Sequence, residues 1–417
     1  MVYIELGKMN MPGSSVVIIL CMLVSLTVSH PLSYGEDPEV NYDAMELISS
    51  KGYPAEAHTV ITEDGYVLVM HRIPGPRGTL QQDKKRSVFF LQHGVLCSST
   101  NWLTNLANES LAYLLADAGF DVWMGNTRGN TYSKNHTSLK PTQKEFWDFT
   151  FDEHSTKDLP AMINYVLDTS QQSDLFYVGH SQGTIMGFAG FTINQTLAKQ
   201  IKAFFALAPV TTVKHIEGIL QPLSNIYDII YVLEFVTDGE FLPTSKLVKY
   251  LSELVCTPQL RLVDGLCEDI LFLLCGFDPN SKNFNQTRLP VYYSHTPAGT
   301  SVKNILHYAQ EVKSGLFSMY KYRTEIENVK HYGRPTPPSY NLTELNVPTA
   351  LFTGGHDWLA DPTDVNASIP VLNTTGHVFY RKHIAHYDHL DFIWGLDAPS
   401  LVYSDIITMA KQLLLRV

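Results

Sequence analysis

Six short apolar runs, at 87–92, 120–124, 175–178, 202–207, 349–353 and 378–381, alternate with segments of helical character. Runs of that length suit strands buried on both faces. A strand, helix, strand repeat then implies a parallel sheet, because parallel neighbours need a crossover between them. Crossovers such as 103–118 and 155–169 are expected to cover the sheet with right-handed connections. Ahead of these, 58–73 holds two β-rich runs around Glu63-Asp64-Gly65, which reads as a hairpin at a sheet edge. The fold class expected is therefore α/β, with a mostly parallel central sheet and helices on both faces.

The alternation lapses between Thr212 and Tyr340, where the text becomes largely helical, with apolar clusters at 226–235 and 270–274. This reads as an inserted, mainly helical cap over 212–340, so that the core comprises 30–211 and 341–417. Pro335, Pro337 and Pro338 mark its distal boundary, since proline cannot continue a helix and favours an extended linker. A chain of 417 residues with 45% hydrophobic residues has ample material for such a core and its insertion. The formal net charge of −11 excludes the basic surface that a polyanion requires, so nucleic acid is not an expected partner.

Lys8 is followed by an uninterrupted neutral run over 16–28 and then by Ser29. Thirteen residues cannot span a bilayer, which takes about 20, but they match the core of a secretory signal, which takes about 7–15. Residues 1–29 are expected to be a cleaved signal peptide, leaving no transmembrane anchor. Cys97, Cys256, Cys267 and Cys275 then remain, and four thiols allow three complete pairings. Cys256 with Cys267 would close a short loop in an oxidising compartment; buried free thiols are the alternative. Seven acceptors for N-glycosylation, Asn108, Asn135, Asn194, Asn285, Asn341, Asn366 and Asn373, fit entry into the secretory pathway.

Gly179-His180-Ser181-Gln182-Gly183 follows the run 175–178 and opens a segment, 184–193, that can be helical. A G-x-S-x-G pentapeptide is weak evidence alone, but between a strand and a helix it reads as a nucleophile elbow. There the serine sits on a strained turn, and the flanking Gly179 and Gly183 relieve crowding. A serine hydroxyl is a poor nucleophile near neutral pH, so it needs a base, and the base needs an orienting carboxylate. In the chain order Ser, Asp, His, the run 349–353 leads into Asp357 and the run 378–381 leads into His389. Asp361 and Asp364 are rivals for the acid, and His383 and His386 for the base. The histidine run lacks an HExxH pattern and a completing thiolate or carboxylate set, so no metal and no cofactor are expected. Two backbone amides should stabilise the oxyanion: Gln182, following the nucleophile, and Val95, in the loop His93-Gly94-Val95-Leu96 after the first parallel run.

With these residues in view, the chain resembles the acid lipase family of α/β-hydrolases over almost its whole mature length. The resemblance rests on Thr62-Glu63-Asp64-Gly65-Tyr66, Gln92-His93-Gly94, Gly125-Asn126-Thr127-Arg128-Gly129-Asn130, Phe151-Asp152-Glu153, Gly179-His180-Ser181-Gln182-Gly183-Thr184, Gly276-Phe277-Asp278, Pro297-Ala298-Gly299-Thr300-Ser301-Val302 and His389-Leu390-Asp391-Phe392-Ile393-Trp394. It implies an α/β-hydrolase fold, Ser181 as nucleophile, Asp357 as acid, His389 as base, and Val95 and Gln182 as oxyanion donors. It further implies a cap disulfide between Cys256 and Cys267, with Cys275 free. The family carries Leu where this chain has Val95, which matters little because the backbone acts.

The expected function is a secretory-pathway serine lipase, secreted or lysosomal. It would hydrolyse long-chain fatty-acid esters, triacylglycerol among them and sterol esters as a further class, at a lipid–water interface through an acyl-enzyme. A carboxylesterase of the same mechanism is one alternative. A non-catalytic lipid-binding protein on the same scaffold is another, and it would be expected to have lost a triad member.

Overall fold

A computed structural model describes residues 37–78, 85–217, 239–241 and 283–415. The expected signal at 1–29, the apolar clusters at 226–235 and 270–274, and Cys256, Cys267 and Cys275 lie outside them. All elements below belong to the compact unit Pro38–Val417.

The chain alternates strand and helix as its apolar runs require. The strands are β1 (Glu56–Ile61), β2 (Tyr66–Ile73), β3 (Val88–Gln92), β4 (Asp121–Met124), β5 (Asn135–His136), β6 (Leu175–His180), β7 (Ile201–Leu207), β8 (Glu240–Phe241), β9 (Thr300–Ser301), β10 (Thr349–Gly354) and β11 (Val378–Ile384). Among the described residues, nine of them form one sheet in the order β1-β2-β4-β3-β6-β7-β10-β11, with β5 pairing off β2. The six strands from β4 through β11 in that order run parallel, whereas β1, β2 and β5 add antiparallel pairings at one side. The hairpin β1–β2 ends the sheet, as its turn signal implied. Every residue of β3, β4 and β6 is buried. At the opposite edge β11 alternates half-buried and exposed residues, so it is an edge strand with one solvent-facing side rather than a strand covered on both faces.

The named helices are α1 (Ala44–Ser50), α2 (Leu111–Asp117), α3 (Leu159–Ser170), α4 (Gln182–Ile193), α5 (Leu289–His295), α6 (Val302–Ser314), α7 (Glu325–Tyr332), α8 (Pro362–Thr374) and α9 (Ser404–Leu414). The crossover expected over 103–118 is helical only in its last part, α2. The one over 155–169 begins instead with a widened π-turn, His154–Asp158, that runs into α3. Helix α4 is buried from Gln182 to Thr192, in keeping with a surface that is apolar all round rather than striped.

One charge knot, with Arg128 and Asp158 buried and Asp64 at the surface, ties two sequence motifs to the π-turn. The guanidinium of Arg128 bonds both carboxylate oxygens of Asp64 at 2.7 and 3.0 Å and Asp158 Oδ1 at 2.8 Å, and lies 3.9 Å from the ring centroid of Tyr66. Asp158 Oδ2 also accepts the Arg128 amide at 2.9 Å. A buried ion pair is costly unless its hydrogen bonds are complete. Here the hairpin turn and the π-turn supply the partners of the one cation carried by the loop after β4. That fixes the loop at the carboxyl end of β4, on the side where an open α/β sheet places its ligands.

Candidate active site

The carboxyl end of β6 turns into α4 through Ser181, at φ +55° and ψ −120°. A serine rarely adopts positive φ, and such strain persists only where the surroundings over-determine it. The two flanking glycines are explained by contacts. A Cβ on Gly179 would stand 2.5 Å from the Gly183 carbonyl oxygen, and one on Gly183 would collide with the Gln92 carbonyl of β3. Helix α4 therefore starts pressed against the neighbouring strand. Ser181 itself is 7% exposed, and its amide donates to the Leu207 carbonyl at 3.2 Å, which continues the β6–β7 ladder into the turn.

Asp357 follows β10 and His389 follows β11. The His389 Nδ1–H donates to both carboxylate oxygens of Asp357, at 2.9 and 3.0 Å, and both side chains are buried. Since a carboxylate only accepts, Nδ1 carries the proton and Nε2 holds the basic lone pair of the neutral ring. Asp357 is fixed in turn by the amides of Leu359 and Ala360, which donate to Oδ1 at 2.9 and 2.8 Å. His389 reaches the elbow through His180: the Nε2–H of His180 donates to the His389 carbonyl at 3.0 Å, and the two rings lie 4.9 Å apart. Burial, reinforced by the neighbouring His389, pulls His180 down to about 3, so it is a neutral strut.

The rivals for these roles are spent elsewhere. His383 Nδ1 bonds Thr353 at 3.1 Å, and exposed His386 pairs with Asp397 at 2.9 Å. Asp361 caps α8 through the Thr363 amide, and Asp364 bonds His215. The three histidines of that run therefore address three different partners.

The loop after β3 lies against Ser181, since a Cβ on Gly94 would be 3.0 Å from the Ser181 Cβ. His93 anchors the loop. Its Nδ1–H donates to the Gly94 carbonyl at 2.8 Å, while Nε2 accepts from the Thr127 amide and from Asn130 at 3.3 and 3.2 Å. Burial holds His93 down at about 4, which keeps this pattern intact in acid. Val95 is half-buried, and the following Leu96 takes φ +59° while its carbonyl accepts the Ala298 amide at 2.6 Å. Gln182 is the first residue of α4, so its amide is one of the donors that a helix cannot satisfy internally.

Three residues around Gln182 carry no motif of their own. Its side-chain oxygen accepts from Asn304 Nδ2 at 2.8 Å and from the Tyr308 hydroxyl at 3.1 Å, and its Nε2 donates to His154 Nδ1 at 3.2 Å. Asn304 and Tyr308 stand one turn apart on α6, and His154 opens the π-turn. The sequence signals nearest to them are Thr300-Ser301-Val302 and Phe151-Asp152-Glu153, which flank these residues without including them.

Elsewhere, Cys97 is a buried free thiol, pushed up to about 12 by burial, so none of the three complete pairings forms. Of the glycosylation acceptors, Asn108, Asn135, Asn341, Asn366 and Asn373 are exposed. Asn194 and Asn285 are half-buried, and their side chains accept the amides of Leu197 and Thr287. No helix among the described residues is long and apolar enough to cross a membrane.

Two family models match the chain: a partial α/β-hydrolase lipase region over residues 44–106 and the α/β hydrolase fold over 87–396. The human gastric triacylglycerol lipase is 46% identical over 375 residues, covering 90% of this chain and 92% of that one. The human lysosomal acid lipase/cholesteryl ester hydrolase is 45% identical over 405 residues, covering 97% and 99%. A crystal structure from Sulfolobus solfataricus superposes with a TM-score of 0.55 at 15% identity over 86% of this chain and 94% of that one, a likeness of fold alone.

Proposed function

Because the chain belongs to the acid lipase family of α/β-hydrolases and is a carboxylic ester hydrolase, we propose that Ser181, Asp357 and His389 are its triad and that Val95 and Gln182 supply its oxyanion amides. The observation that carries this reading is the buried bond from His389 Nδ1 to Asp357, joined through His180 to a serine at positive φ. His389 Nε2 takes the Ser181 proton as the hydroxyl oxygen attacks the ester carbonyl. The two amides stabilise the resulting alkoxide. Protonated His389 then gives its proton to the departing alcohol, leaving an acyl-enzyme. Water, deprotonated by the same imidazole, attacks the acyl carbon, and Ser181 leaves with its proton restored.

The substrates are long-chain fatty-acid esters presented at a lipid–water interface, triacylglycerols and sterol esters, the two classes that the relatives' names carry. The protein works in the secretory pathway, secreted or lysosomal. Support comes from the neutral run at 16–28 and from glycosylation acceptors exposed at Asn108, Asn135, Asn341, Asn366 and Asn373. The segment 212–340 acts as the cap over this site, its described part containing α5, α6 and α7.

Ser181→Ala tests the assignment. Hydrolysis of emulsified triacylglycerol should fall by roughly 10⁶, as it does when a serine hydrolase loses its nucleophile, with an unchanged melting temperature. Organophosphonate labelling should disappear. A folded variant that still cleaves the emulsion sinks the reading.

A further inference from the structure

We propose that Asn304 and Tyr308 of α6 are positioning residues that hold the Gln182 peptide, and with it the oxyanion donor, in its working orientation. The inference rests on the reading of Gln182 given above and extends it to residues that do not touch the reacting ester.

Ser181 sits at φ +55°, and relaxing that strain would swing the 181–182 peptide that carries the Gln182 amide. Something must resist the swing, and the buried side chain of Gln182 is placed to do so. Its oxygen is held by Asn304 and Tyr308, and its nitrogen by His154, at 2.8, 3.1 and 3.2 Å. Three anchors from two elements fix the side chain in position as well as direction. Asn304 is itself immobilised, because its other amide proton goes to Thr300 Oγ1 at 3.1 Å and its own amide donates to Ser301 Oγ at 2.9 Å. Ser301 Oγ–H in turn donates to the Phe149 carbonyl at 2.6 Å. Burial drives His154 well below its ordinary range, which favours the neutral ring that accepts at Nδ1. The base of α6 thus acts as a clamp on the residue after the nucleophile. Thr300 also pairs with Phe241 in the β8–β9 ladder.

A misplaced oxyanion donor should cost less than a deleted one, which lowers kcat by ~10²–10³-fold. In the full-length protein, Asn304→Leu should lower kcat by ~10–100-fold and Tyr308→Phe by about 3–10-fold, each with KM within about twofold of the parent. An alkylboronic acid, which forms a tetrahedral adduct on the serine, should lose affinity by the same factor as kcat. A non-hydrolysable ether analogue of the ester should bind unchanged. A purely structural role would move both ligands together or neither. Tyr308→Phe removes only a hydroxyl and so stands in should Asn304→Leu fail to fold. Unchanged kcat in a folded variant, or parallel loss of boronate and ether binding, overturns the proposal. If Ser181→Ala is inactive while Asn304→Leu and Tyr308→Phe match the parent, only the clamp falls. If Ser181→Ala is active, the underlying site assignment falls as well.

Discussion

Asp357 accepts from two backbone amides on one oxygen and from His389 Nδ1 on both, so an amide in its place would have to present NH₂ towards an N–H. Asp357→Asn should therefore keep the fold and trap the imidazole in the wrong tautomer. The expected loss is about 10⁴-fold in kcat with little change in melting temperature, read from steady-state kinetics and a thermal scan. Gly183 gives the opposite prediction. Gly183→Ala places a methyl against the Gln92 carbonyl, which belongs to a central strand and cannot move aside. It should destabilise the protein by at least ~1–3 kcal/mol, seen as a lower urea midpoint or loss of soluble protein. At this scale the buried Asp357–His389 pair and the strained turn at Ser181 were legible, because acyl transfer allows few residue types and the chain order limits where they can stand. Asn304, Tyr308 and His154 were not legible, because they serve Gln182 from α6 and the π-turn, with nothing local to announce it.

Helix α6 shows what an element can conceal. Its face towards the core carries Glu311, buried with both carboxylate oxygens unpartnered and near Asp152 and Asp364. Burial first, and those two carboxylates second, raise its pKa well above the ordinary value. A raised acid favours the fold below its unfolded value of about 4.5, and that contribution is lost as pH rises through the folded value. Glu311→Gln, which stays neutral, should thus match the parent near pH 4 and melt higher than the parent near pH 7. Thermal scans at the two pH values decide it, and a variant melting lower at both would contradict the assignment. Amphipathic periodicity predicts that this face is inside but says nothing about which polar residue it takes along. In the same way β11 was legible as a strand, while its place at the sheet edge was settled by which neighbour it found. The hairpin at 58–73 was legible in full, because a Gly-containing turn between β-rich runs is a local instruction.

Over the whole molecule, buried acids and buried histidines oppose one another. Burial pushes Asp391 up to about 7 and Asp152 up to about 6, and it raises Glu153 and Glu311 as well. Burial pulls His71 and His93 down to about 4, His180 and His307 to about 3, and His154 well below its usual value. The acids lose their stabilising contribution as pH rises from about 4 to 7, whereas the histidines lose theirs as pH falls below about 6.5. Asp158 is likewise pushed up to about 6, so in mild acid the fold holds protons on buried acids that the unfolded chain has released, while its buried histidines have released protons that the unfolded chain binds. Five histidines alone would give a slope of about 7 kcal/mol per pH unit, and the acids act against it. Melting temperature should accordingly stay nearly level between pH 4.5 and 6, and a steep fall on acidification across that range would show that the compensation is absent.

The amino-acid sequence by itself determined the strand and helix alternation and the turn at Ser181, and it singled out Asp357 and His389, which the fold pairs, because these depend on local periodicity, on turn chemistry and on a reaction that tolerates few substitutes. Only the tertiary structure decided that Arg128 would knot three loops, that His180 would bridge to His389, and that α6 would grip Gln182. Each of these is a hydrogen bond between groups far apart in the chain, and burial gives such a bond its value only once the sheet has brought its partners together.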